Sequence, residues 1–137
     1  MKGVNDAAPS VGLLALRLGT GGLLLYAHGL GKFMNFSSKA ATFADPIGLG
    51  PTVSFTLVVL AEFFCSIALI LGLATRLAAV PIVIFGLVAA LVQHAADPFA
   101  KKELALLYLV PALTLMFTGA GRFSLDALIG SIWKRNS

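Results

Sequence analysis

The chain has 137 residues, 58% of them hydrophobic and only 12% charged, with a mean hydropathy of +0.95. A soluble domain carries about twice that charged fraction, so the composition excludes an ordinary water-soluble fold, and the length confines residues 1–137 to a single domain. The net charge of +4 does not point to nucleic acid, because the basic residues sit at the ends of apolar runs, where they anchor helices against lipid headgroups; the single cysteine, Cys65, excludes a self-contained dithiol and a four-cysteine metal site.

A membrane-crossing helix needs roughly 20 mostly apolar residues. Four such runs succeed one another, at about 10–31, 52–74, 77–95 and 103–120. The first comes after Pro9, with Ser10 read as its N-cap, and its apolar stretch is too long for the core of a signal peptide. It carries Arg17, and the second run carries Glu62. One ionised residue costs about 2.5–3.5 kcal/mol on insertion scales, which the surrounding leucines offset. Asp45-Pro46 and Gly48 to Pro51 supply turn chemistry in the longest connection, and Asp97-Pro98 marks the turn before the last run. Only Thr75-Arg76 separates the second and third runs, which therefore form a tight antiparallel hairpin. Pro111, in the middle of the fourth run, predicts a kink. After it, 123–135 reads as a short amphipathic helix lying on the membrane, with Trp133 at headgroup level. The expected fold is an all-α integral membrane four-helix bundle with an amphipathic C-terminal helix.

Four crossings put both termini on one side. That side holds Lys2, Arg76, Arg122, Lys134 and Arg135, against Lys32, Lys39, Lys101 and Lys102 on the other. By the positive-inside rule this five-against-four excess leads us to expect cytoplasmic termini, and the expected location is a cell (inner) membrane.

At about 100° per residue, Ser10, Arg17, Gly21, His28 and Lys32 share one face of the first helix, and Phe55, Glu62, Ser66 and Leu69 share one face of the second. Lipid penalises polar faces, so both point into the bundle, with Gly21 and Ser66 letting the helices approach. Arg17 and Glu62 both fall near the middle of adjacent antiparallel spans and are expected to form a buried ion pair. The pair either fixes helix register or handles a proton or a polar ligand group.

The first and third spans end on the same membrane face. His28 and Lys32 close the first, His94 closes the third, and Asp97, Lys101, Lys102 and Glu103 come next in the chain. The expectation is one pocket bordered by His28 and His94, with Lys32 and Glu103 at the rim and Arg17–Glu62 as its floor. The plain alternative is that spans commonly end in polar residues. Two histidines with Glu103 or Asp97 lack metal-motif spacing, so no metal site is assigned. Haem b would use both histidines. A quinone headgroup suits a histidine and a lysine above an aromatic pocket, for which Tyr26, Phe33, Phe55, Phe99 and Tyr108 are the candidate walls.

Several segments together resemble the DoxX family of small membrane proteins. They are Leu16-Arg17-Leu18-Gly19, the run from Tyr26 to Lys32, Ala61-Glu62, the run from Leu71 to Leu77, and the run from Gly119 to Asp126. The resemblance implies a four-helix membrane bundle associated with redox enzymes, among them a subunit of a thiosulfate:quinone oxidoreductase and partners in complexes that handle thiol and oxidative stress. Arg17, His28, Lys32, Glu62 and Arg76 occupy its motif positions. Where such proteins use cysteines, this chain offers only Cys65, so an autonomous thiol reductase is not expected. Three readings are open: a redox-linked subunit that binds a quinone-like ligand and acts with a partner oxidoreductase, a binding or transport module for a small solute or lipid that works as a homo-oligomer, and a structural anchor without a site.

Overall fold

The structure is a computed structural model and describes residues 7–136. Helix α1 runs Ala7–Met34, and a short helix α2 (Phe36–Lys39) begins the first connection. Helix α3 is Pro51–Leu71, α4 is Thr75–Gln93, α5 is Phe99–Thr118 and α6 is Leu125–Asn136. Helices stand at each of the five segments read from the sequence, with no boundary displaced by more than four residues, and three of them, α1, α3 and α4, are long and apolar enough to cross a membrane.

Local chemistry sets the ends. Gly50 takes a φ of 95° and hands over to Pro51, whose fixed φ and missing N–H suit the first helical position of α3. Asp45 ties the preceding loop together: it accepts from the amides of Leu49 and Gly50 and from Ser54 Oγ. The Ser54 hydroxyl, then the backbone donors, hold the Asp45 carboxyl below its ordinary value. Helix α3 stops at Gly72, left-handed at φ 65°, and the turn to α4 is Gly72 to Ala74. Pro9 lies inside the first turn of α1, and Ser10 is not its N-cap; the Ser10 hydroxyl instead accepts the amide of Arg122.

The packing is inverted relative to a soluble protein. Arg17, Thr20, Glu62, Ser66 and Thr75 are buried, while Leu23, Leu77, Leu91, Leu107, Val110 and Phe117 are exposed. The core is built from Leu24, Leu69, Ala79, Ile82, Ala112 and Leu115, all fully buried. An outer surface of leucine, valine and phenylalanine is stable only where the surrounding medium is apolar. Helices α1, α3 and α4 are long and apolar enough to cross a membrane. Helix α5 has 20 residues, but its first turns carry Lys101, Lys102 and Glu103. Its apolar stretch, 104–118, rises about 22 Å at 1.5 Å per residue, short of a hydrocarbon core of about 30 Å. It packs against α4, where Gly86 lets the Leu109 side chain approach to 3.0 Å from where a Cβ would stand. The helix continues through Pro111.

Helices α1 and α3 approach most closely at two small residues. A Cβ on Gly21 would stand 2.9 Å from the Ser66 carbonyl, and one on Gly29 would overlap the Glu62 carbonyl outright. Only glycine fits at Gly29. These contacts set the register between the two helices, and the register decides which charges meet.

Candidate functional site

The polar residues gather at the two ends of the bundle. At the end holding the α3–α4 turn, Arg17 is fully buried. Its Nη1 donates to the carbonyls of Leu69 (3.2 Å) and Ile70 (3.3 Å) at the end of α3, and its Nη2 donates to the carbonyl of Phe123. Gly72 has to be glycine here, because a Cβ would collide with Arg17 Nη1. Asp126 closes the same knot. Its carboxylate accepts the amides of Ala74 (2.6 Å) and Thr75 (2.9 Å), satisfying donors at the start of α4, while its own amide donates to Gly72 O. That grip holds Ala74 at φ 45°, a conformation an alanine rarely takes.

Glu62 lies elsewhere. It is 1% exposed, and its partner is Lys32, whose Nζ donates to Oε2. The expected Arg17–Glu62 pair is therefore replaced by two separate arrangements. The cause is register. Gly21 meets Ser66 and Ile70, so Arg17 stands level with Leu69 and Ile70, about 12 Å along the axis from Glu62.

His28 also departs from expectation. Helix α1 contains a wider, π-type turn at Leu25–Gly29, and α3 and α4 contain others at Leu60–Phe64 and Ala89–Gln93. A π-type turn adds one residue to the helix and rotates the residues beyond it by about one position. The inward positions on α1 are Arg17, Gly21, Leu24 and then Gly29, not His28. The His28 ring packs edge-on against Tyr108 of α5, with centroids 5.5 Å apart. It remains within electrostatic reach of Lys32, as Tyr108 does of Glu62.

At the same end of the bundle a cavity of about 450 Å³ opens between α3, α4 and the loop before α3. Its walls include Leu57, Leu60, Ile84, Phe85 and Val88, with Phe43 and Ile47 from the loop. Lys32, Ser54, Gln93 and His94 bring polar atoms to it. Lys32 and His94 thus line one cavity, whereas His28 and Glu103 are not among its lining residues. Glu103 is exposed on the first turn of α5. The aromatic walls also differ from expectation. Phe33 stacks on Phe63, Phe55 packs with Phe36 and Phe43, and Tyr26 and Phe99 are exposed.

Sequence reasoning missed the partner of His94. His94 Nδ1 lies 2.7 Å from Asp97 Oδ2 across the turn after α4. That hydrogen bond, with the charges of Lys101 and Lys102 behind it, holds the Asp97 carboxyl below its ordinary value. The signal was a histidine three residues before an aspartate at a helix end, a spacing at which side chains meet. Among the described residues no group of three or more His, Cys, Asp or Glu side chains is placed to hold a metal ion.

An apolar exterior, buried charges and helices long enough to cross a bilayer define a helical multi-pass membrane protein. The chain belongs to the DoxX family, whose model matches residues 12–95 and so takes in Arg17, His28, Lys32, Glu62, Arg76 and His94. No curated protein and no solved structure matches it.

Proposed function

We propose that this protein is a redox-linked membrane subunit that holds a quinone-like ligand in the cavity between α3 and α4 and acts with a partner oxidoreductase. The observation that carries this reading is the cavity itself. At about 450 Å³ it falls in the range of small-molecule sites, which combine apolar walls with a few polar groups that fix orientation. Lys32 can donate to a ligand oxygen, Gln93 can donate or accept, and His94 presents its remaining ring nitrogen, Nε2. The apolar walls would hold the ligand's body. With a single cysteine in the chain, the ligand and the partner are the redox-active parts in this reading. Quinone suits the site better than haem b, because His28 packs on Tyr108 while His94 bonds Asp97, and axial ligation would need the two rings to face each other. The excess of basic residues, five against four, supports the reading that both termini face the cytoplasm from an inner membrane; of the five, Lys2 lies outside the described residues.

Extraction tests the reading. Protein purified in mild detergent, extracted with organic solvent and analysed by mass spectrometry should yield an isoprenoid quinone in near-stoichiometric amount. Ile84→Trp, which fills the cavity from an exposed position, should lower that yield at least tenfold. Extracts that hold phospholipid alone would overturn it.

A further inference from the structure

Two cavity residues have a hydrogen committed outside the cavity: Ser54, whose hydroxyl donates to Asp45, and His94, which bonds Asp97. Asp97 is held in its ionised form, and an ionised carboxylate only accepts. The shared hydrogen is therefore carried by His94 Nδ1, and in a neutral imidazole that leaves Nε2 as a bare acceptor. Among the described residues nothing donates to Nε2. Lys32 is the complement. One side of its ammonium is engaged by Glu62, and its remaining N–H groups can only donate. With the His94 ring neutral, the cavity offers Nε2 and the Ser54 hydroxyl oxygen as acceptors and Lys32 as a donor.

We infer that His94, oriented by Asp97, accepts a hydrogen bond from a hydroxyl on the ligand's head, so that the cavity selects a hydroxyl-bearing, hydroquinone-type ligand over one whose oxygens only accept. The inference rests on the cavity being a quinone-type site and names the form that site prefers. A quinone carbonyl would meet the bare Nε2 as acceptor against acceptor, which leaves both lone pairs unpaired. A hydroquinone hydroxyl donates to Nε2, and either of its oxygens can accept from Lys32. Asp97 is a positioning residue here: it sets the tautomer and does not touch the ligand. Asp97 lies at the turn, partly open to the medium, so His94 also joins the cavity to the aqueous face.

The experiment compares two probes with the same short alkyl tail, a hydroquinone and its dimethyl ether, titrated anaerobically into the detergent-solubilised protein. The ether keeps the ring, tail and oxygen acceptors and carries a methyl group in place of each donor hydrogen; the quinone form of the same probe, which lacks the donors without the added methyls, serves as the second comparison. The parent protein should bind the hydroquinone about fivefold more tightly, the net worth of one hydrogen bond. His94→Ala should bind the two probes equally. Asp97→Ala, which leaves the ring in place and frees its tautomer, should keep only part of the preference. A helical circular-dichroism spectrum and a melting midpoint like the parent's show that the variants are folded. Equal binding of both probes by the parent, or a preference that survives His94→Ala, overturns the inference while leaving the cavity a ligand site. Binding of neither probe by the parent overturns the inference together with the reading beneath it.

Discussion

Replacing Lys32 with methionine should destabilise the bundle by roughly 3–5 kcal/mol, because it strands the Glu62 carboxylate in the interior without a counter-charge. Glu62→Gln should cost less. Lys32 is partly exposed and its long stem lets the ammonium move toward headgroups and water once its partner is gone, whereas Glu62 has no such route. The double variant Lys32→Met with Glu62→Gln should recover most of the loss, so the two single effects will not add. Melting midpoints of the four proteins in one detergent measure this. If the double variant loses the sum of the singles, the two side chains are not coupled. The same set run with Arg17→Gln in place of Lys32→Met should show no coupling to Glu62, since Arg17 bonds carbonyls and not that carboxylate.

Arg17→Leu should cost roughly 2–4 kcal/mol, chiefly by leaving buried carbonyls without their charged donor. Its more specific effect is local. Arg17 fastens the C-terminal segment to α1 and α3 through Phe123, so its loss should loosen 119–136 before the rest of the bundle. Limited trypsin digestion reads this at Arg122, an exposed residue beside that contact. Cleavage there should accelerate several-fold in the variant while sites elsewhere keep their rates. Unchanged cleavage at Arg122 would mean that Asp126 and the Ser10 contact hold the segment unaided.

The class of fold was legible because it rests on hydrophobic run length, and the buried stripe of α3 (Phe55, Glu62, Ser66 and Leu69) emerged from simple rotation arithmetic. Two features were hidden for physical reasons. The π-type turn at Leu25–Gly29 has no sequence signature strong enough to reveal the extra residue, and that residue turns His28 away from the stripe and brings Gly29 in. The stagger between α1 and α3 comes from close helix approach at Gly21 and Gly29, whereas span midpoints assume equal depth; hence Arg17 and Glu62 looked level and are not. The runs around Arg17, Gly72 and Gly119 to Asp126 read in sequence as separate glycine-rich text, and the fold brings them into one knot of hydrogen bonds. On the cavity side, His94 and Lys32 were legible from topology, but the loop contribution of Phe43 and Ile47 depends on how Asp45 folds the connection, which run length does not encode.

If the cavity between α3 and α4 is a quinone-type site, a quinone probe must bind within it rather than along the lipid-facing helices. A photoreactive short-chain azidoquinone, activated on the purified protein and mapped by peptide mass spectrometry, tests that directly. Label should fall on peptides holding Phe43 to Ile47 and Pro81 to His94, and it should be lost when Ile84→Trp fills the cavity. Label spread evenly over the exposed apolar faces, such as Leu107, Val110 and Phe117 of α5, and unaffected by that substitution would contradict the claim.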